Sequence, residues 1–191
     1  MAIICPRLSL PRGRALLQPP TLKGVNWLGD SNDVTNALVW TPSNVGSSIP
    51  GLADPWGGTT ARYTPIQGGA GSQGSNRFVT WGGSAVPQTV VPGQWYVFSM
   101  YQRSDPAYGG GLGPKFSFLM GDITNSVKYY SADITATATW QRYWQAWQAP
   151  AGCVSMGVGW TNDAAGDGSR NITCAFQFEP GTVPTPYTPR P

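Results

Sequence analysis

Turn formers interrupt this sequence so often that no long helix can run through it. The stretches "PIQGGAGSQGSN" (65–76), "DPAYGGGLGP" (105–114) and "TNDAAGDGSR" (161–170) are almost pure turn or loop text. They belong to a set of 25 glycines and 18 prolines in 191 residues. Proline removes a backbone donor and glycine costs the most entropy when ordered, so both break helices. Between the breaks lie short runs rich in β-branched and aromatic residues: 37–41, 60–64, 77–81, 94–103, 115–121, 127–135, 140–148, 154–160 and 171–179. Eight or nine such strands, with no repeat period, predict an all-β chain. The expected architecture is a two-sheet antiparallel β-sandwich, a jelly roll. The closing "PGTVPTPYTPRP" predicts a Pro-rich C-terminal tail outside any central strand.

One strand candidate poses a specific problem. "TWQRYWQAWQAP" (139–150) carries Trp140, Tyr143, Trp144 and Trp147. Alternation sends Trp140, Arg142 and Trp144 to one face and Gln141, Tyr143, Gln145 and Trp147 to the other. Aromatics thus occupy both faces, although a sheet with one wet face needs only one apolar side. One set should be core, and the other a sugar-stacking platform or a subunit interface. Two buried glutamine amides need more partners than one arginine whose stem can reach the sheet edge. That argument assigns Trp140 and Trp144 to the core and leaves Tyr143 and Trp147 as interface or sugar-stacking candidates. Trp56 and Tyr108, set in the turns "GLADPWGG" and "SDPAYGG", are candidates of the same kind. Only 11% of residues are charged, against about 25% in an ordinary soluble domain. A surface this poor in charge suits a chain that rests against a partner.

Residues 1–24 read as an extended docking arm and 25–191 as the sandwich. Prolines at 6, 11, 19 and 20 forbid a continuous helix in the arm. Its apolar residues Ile3, Ile4, Leu8, Leu10, Leu16 and Leu17 alternate with Arg7, Arg12 and Arg14. Such a segment has no core of its own and gains order by packing on a partner. With Lys23 the arm carries four positive charges before the first acid, Asp30, against a net charge of +3 for the whole chain. The remainder is weakly acidic, so the body lacks the basic footprint of a nucleic-acid binder. Three cysteines, Cys5, Cys153 and Cys174, make a poor disulfide framework. Cys153 and Cys174 read as small buried hydrophobes, and whether they are bridged is a matter of geometry. The N-terminus lacks the uninterrupted apolar core of a signal peptide, and no run of about 20 apolar residues predicts a membrane span. The expected site of synthesis is a reducing cytoplasm.

No catalytic set is legible. The chain has no histidine and only nine acids, scattered and mostly in turns, where Asp caps its own backbone. This leaves no nucleophile–base pair and no recognisable glycosidase carboxylates, so the expectation is a protein without enzymatic activity or cofactor. Asn162, Asp163 and Asp167 offer oxygens in one loop, but their spacing does not match a calcium loop. Asp163 and Asp167 therefore remain weak metal candidates beside the plainer reading of a hydrated hairpin tip. The glycine runs lack the lysine and following helix of a phosphate loop.

Five segments in order resemble a known group. They are "SNDVTNALVW", "ADPWGGTTARYT", "TVVPGQWYVFSMYQRS", "TWQRYWQAWQAPAG" and "FQFEPGTVPTPYTP". Together they look like the carbohydrate-binding-module-like jelly rolls of tailed-bacteriophage virion proteins. The matching residues are Ser31 to Asp33 with Trp40, Asp54 to Gly58, Pro92 to Gln94 with Tyr96, Phe98 and Ser99, Trp140 to Arg142 with Ala149 to Gly152, and Gln177, Glu179, Gly181 and Thr185 to Pro189. The resemblance implies a virion protein made in the cytoplasm of a bacterial host. Such modules commonly sit within long tail fibres, whereas here the module is nearly the whole sequence. The first expectation is thus a head decoration or cement protein, with the major capsid protein as partner, a self-assembled oligomer as a further option, and attachment through the arm and an aromatic sheet face. The alternative is a tail or tail-fibre component that binds host-surface polysaccharide. A secreted carbohydrate-binding module is a third reading.

Overall fold

The computed structural model describes residues 26–28, 40–43, 46–65, 73–78, 88–108, 115–163 and 171–189. Twelve strands and no helix occur among them: β1 (Thr41–Ser43), β2 (Ile49–Leu52), β3 (Ala61–Tyr63), β4 (Gln73–Phe78), β5 (Gln88–Thr89), β6 (Trp95–Ser104), β7 (Lys115–Asp122), β8 (Val127–Tyr130), β9 (Ile134–Thr135), β10 (Gln141–Gln148), β11 (Ser155–Asp163) and β12 (Asn171–Pro180). All pairings are antiparallel. One sheet runs β1-β4-β11-β7-β8, with β5 also pairing β11 and β9 also pairing β7. The other runs β10-β6-β12-β3-β2. The predicted two-sheet antiparallel sandwich is the fold.

Local chemistry explains the connections. In Val91-Pro92-Gly93-Gln94 the Gln94 amide donates to the Val91 carbonyl at 3.1 Å, and Gly93 has φ 80°. Proline at the second position and a positive-φ glycine at the third make a type II turn. Pro150-Ala151-Gly152-Cys153 repeats the glycine and the hydrogen bond with alanine at the second position, Cys153 N–H donating to the Pro150 carbonyl at 3.1 Å and Gly152 at φ 79°. The two turns face each other at one end of the β6–β10 pair, where Ala149 and Gln94 share a backbone bond of 2.8 Å.

Some strand boundaries differ from expectation. The segment 127–135 is two strands, because Ser131 ends the first one. Its hydroxyl takes the Phe118 amide at 2.9 Å while its own amide donates to the Phe118 carbonyl at 3.0 Å. β4 begins at Gln73, inside the stretch read as a connection. β2 and β5 lie outside the expected strands because they carry little apolar periodicity.

The core lies between the sheets. From the five-stranded sheet come Tyr96, Phe98, Met100, Phe176 and Phe178, and from the seven-stranded sheet Phe116, Phe118, Met120, Met156, Val158 and Trp160. Phe98 meets Phe118 edge to face across the gap, with centroids 5.6 Å apart at 89°. Trp160 stacks on Phe176 at 4.7 Å and 15°, and Trp40 closes on both rings. Buried side chains of this size contribute about 1.5–3 kcal/mol each.

The five-stranded sheet is covered on its outer side as well. A second cluster there contains Ala61, Tyr63, Ile172, Cys174 and Ala175, with Leu52, Tyr101, Tyr108, Trp140 and Tyr187 against it. β12 feeds both clusters because it changes parity. Its register with β6 slips between Cys174 and Gln177, and Ala175 takes φ 56°. Such a bulge inserts one residue and exchanges the faces that follow. Ile172 and Cys174 therefore point outward, whereas Phe176 and Phe178 point inward. Cys153 belongs to the inner cluster and Cys174 to the outer one, and both are free thiols.

Candidate functional site

β10 is an edge strand of the five-stranded sheet, and its register decides the question raised by its sequence. Tyr143 pairs with Met100 and Trp147 with Tyr96, both inward residues of β6. Tyr143 and Trp147 are half-buried against the main core, and Tyr143 meets Phe116 edge-on at 5.1 Å. Trp140, Arg142 and Trp144 lie on the outer face, with Trp144 44% exposed. This corrects the expected assignment of Trp140 and Trp144 to the core. The glutamine argument failed because an edge strand does not bury its amides fully. Gln141 is exposed, and Gln145 donates to the Ala146 carbonyl at 3.0 Å.

On that outer face an aromatic site is assembled from four parts of the chain. The first is the loop between β2 and β3. The Asp54 carboxylate is buried and accepts from the backbone of Trp56 at 2.9 Å, Gly58 at 2.9 Å and Thr60 at 3.3 Å, and from the Thr60 hydroxyl at 2.9 Å. Burial alone would raise this carboxyl, yet these bonds hold it below the usual carboxylate range. A Cβ at Gly58 would stand 2.5 Å from Asp54 Oδ2, so the clamp fits only glycine at that position. The clamp projects Trp56, which is 57% exposed.

The second part is β6. Tyr101 meets Trp56 at 4.9 Å and 64°. Arg103 lies 5.5 Å over the Trp140 ring and forms an ion pair with Asp105 at 2.7 Å. Asp105 also caps Ala107 at 3.0 Å, and these contacts lower its carboxyl. The turn so formed carries Tyr108 onto Tyr63, with centroids 5.1 Å apart. The third part is Trp140, just before β10, with Arg142 on the strand; the Arg142 guanidinium sits 5.8 Å over Tyr101. Burial lowers the Arg142 pKa, opposed by Tyr101, Glu179 and Tyr187.

The fourth part is the predicted Pro-rich tail. Residues 181–189 double back over the outer face, and Tyr187 stacks on Trp56 at 5.6 Å and 17°. The buried Glu179 carboxylate takes the Thr185 amide at 2.8 Å and hydroxyl at 2.6 Å. Gln177 accepts the Thr188 amide at 2.9 Å, and Arg142 donates to the Thr185 carbonyl at 2.5 Å. Gln177 and Glu179 sit within the sequence segments singled out above, but their role as anchors required the fold.

Trp56 and Tyr108 thus share one face, joined by Tyr101, Trp140, Arg142 and Tyr187, none of which was a sequence candidate for binding. Tyr143 and Trp147 do not join them. The arm residues Ile3, Ile4, Arg7, Leu8, Leu10, Arg12, Arg14, Leu16 and Leu17 lie outside the described residues, as do Asp167 and the side chain of Asp163. Among the described residues no cluster of three or more His, Cys, Asp or Glu could hold a metal. No helix of the described residues is long and apolar enough to cross a membrane.

No protein-family model matches this chain, and comparison with curated proteins gives no match. Solved structures do match. The CBM22-1 xylan-binding domain from Paenibacillus barcinonensis Xyn10C is 12% identical, over 75% of this chain and 86% of that domain, with a TM-score of 0.50. Arabinose-bound MgGH51 α-L-arabinofuranosidase is 19% identical, over 76% of this chain and 23% of its own, with a TM-score of 0.52. The enzymatically active domain of bacteriophage CBA120 tailspike protein 4 is 9% identical, over 83% of this chain and 21% of its own, with a TM-score of 0.49. The chain thus spans less than a quarter of the two larger proteins. At these identities the likeness to the first two establishes a fold. It is a jelly-roll sandwich similar to those of carbohydrate-binding modules. The phage-virion part of the resemblance rests on the sequence segments alone.

Proposed function

We propose that this chain is a non-catalytic glycan-binding module whose binding surface is the outer aromatic face of the five-stranded sheet. The observation that carries the reading is Trp56, 57% exposed yet fixed by the Asp54 clamp and by ring contacts to Tyr101 and Tyr187. An exposed tryptophan held in one orientation offers a flat apolar surface with few rotamers left to lose on binding. The C–H face of a pyranose is its natural complement. Trp140 and Trp144 extend the surface along β10. Four residues of strand separate them, about 13 Å, so the face suits a chain of linked sugars rather than one ring.

Charge selects among glycans. Arg103 is paired with Asp105, and Arg142 stands close to the buried Glu179. Neither guanidinium offers a free charge to an acidic polymer, so a neutral polysaccharide fits best. Four of the nine acids are in structural use. Asp54 clamps a loop, Asp105 caps a turn, Asp122 accepts from Asn125 at 3.0 and 2.8 Å, and Glu179 anchors the C-terminal segment. This supports binding without hydrolysis.

Within the phage setting that the sequence resembles, this site serves the tail reading, in which the glycan belongs to the host surface. Head decoration called on the arm and an aromatic interface, and two of its four aromatic candidates, Tyr143 and Trp147, are half-buried against the core. The test is affinity electrophoresis in gels containing soluble xylan, galactan or a mixed-linkage glucan, with polygalacturonate as the acidic comparison. Retardation by a neutral polymer, weakened at least tenfold by Trp56→Ala, is expected. Retardation by polygalacturonate alone, or binding that survives Trp56→Ala, overturns the reading.

A further inference from the structure

The segment after β12 is bound more firmly than a covering tail needs to be. Gly181 turns the chain at φ 139° and donates to the Trp95 carbonyl at 2.9 Å. From there the segment meets three buried polar side chains, Glu179, Gln177 and Asn26, and the half-buried Arg142. Both Glu179 oxygens hold Thr185, Gln177 holds Thr188, Arg142 holds the Thr185 carbonyl, and Asn26 donates to the Thr188 carbonyl at 3.3 Å. Glu179 and Gln177 are wholly buried, and a carboxylate is costly to bury unless its hydrogen bonds are made. Two anchored residues, Thr185 and Thr188, bracket Pro186 and Tyr187. Proline fixes one backbone angle of its own and restricts Thr185 before it. The Tyr187 ring is therefore delivered to one place, flat against Trp56.

Trp56 nevertheless remains more exposed than any other large hydrophobic residue of the described chain except Val183. Tyr187 backs one face of the indole and Tyr101 meets it at 64°, while much of the ring stays open. We infer that Tyr187 is a positioning residue that sets the plane of Trp56 for sugar stacking, with Glu179 as the anchor that holds it there. The inference rests on the glycan-binding reading and adds a role for the C-terminal segment. That segment is part of the binding platform, acting through the ring it supports, and it does not compete for the ligand.

The experiment uses the full chain labelled with 5-fluorotryptophan. The Trp56 fluorine resonance is identified by its loss in Trp56→Phe and is read without glycan. Soluble xylan affinity is measured on the same proteins. Tyr187→Ala is expected to move the Trp56 resonance towards the solvent-exposed value, leave the resonance of core Trp160 in place, and weaken xylan binding about tenfold. Tyr187→Phe, which keeps the ring, is expected to restore both. An unmoved Trp56 resonance in Tyr187→Ala overturns the inference, as does unchanged or tighter xylan binding, the result of a competing cover. Loss of the Trp56 effect on xylan, with the resonance shift intact, instead removes the glycan reading while showing that the segment sets the ring.

Discussion

The side-chain amide of Asn26 brackets Gln177 on β12, donating to the Phe176 carbonyl at 2.8 Å and accepting from the Phe178 amide at 3.1 Å. The side chain stands in for a neighbouring strand just past the bulge, beyond the two residues that pair with β3. The Trp27 amide continues the ladder to the Phe178 carbonyl at 2.8 Å.

Asn26→Ala would leave a buried donor and a buried acceptor of β12 without these partners. Each such group costs about 1–3 kcal/mol, so a loss of about 3 kcal/mol is expected. Urea unfolding followed by tryptophan fluorescence measures it. A loss under about 0.5 kcal/mol would mean that the ladder is satisfied without Asn26.

The two faces of β10 predict unequal costs. Trp147→Ala removes a ring packed on the core and is expected to cost about 3 kcal/mol. Trp144→Ala removes an exposed ring and is expected to cost less than about 1 kcal/mol. Thermal melts of the two variants compare them directly, and equal losses would contradict the register of β10 on β6.

Asp54 gives the fold an acid-sensitive loop. Its carboxyl is lower in the fold than in the unfolded chain. The charged form therefore stabilises the fold above the ordinary Asp range, about pH 4, and that contribution is lost as pH falls through the lower folded value. Asp54→Asn should cost about 2 kcal/mol at pH 7, and its gap from the parent protein should narrow as pH falls below about 4. A gap that stays constant across that range would show that the charge of Asp54 contributes nothing.

Burial first, and then the neighbouring Asp122, pushes the Cys153 thiol up to about 11. Burial raises Cys174 further. A raised thiol pKa stabilises the fold below the unfolded value, and the contribution is lost as pH climbs from about 9 through the folded value. Neither cysteine should react with iodoacetamide at about pH 8 until the chain unfolds. Peptide mass mapping after a short pulse reads this, and rapid labelling of Cys174 would mean that the outer cluster opens.

The strands of the body were legible because their periodicity and punctuation are local. β6, β7, β10, β11 and β12 begin and end within a few residues of their expected positions, set by turns such as Val91–Gln94 and Pro150–Cys153. The sequence alone also located Trp56 in a tight Asp-led turn. It did not reveal Tyr101, Trp140 and Tyr187 as members of the same site, because those contacts join residues far apart in the chain.

Which way each strand faces was a tertiary decision. Ile172, Cys174, Phe176 and Phe178 alternate without a break in the sequence, yet the bulge at Ala175 sends the first two outward and the last two inward. The sheet tolerates apolar residues on both sides because the other sheet covers one face and the chain's own 181–189 segment, with the Trp56 loop, partly covers the other. Periodicity in the sequence dictates that neighbouring residues point apart. Only the register against β6, and the cover supplied from elsewhere in the chain, decide which side is the core.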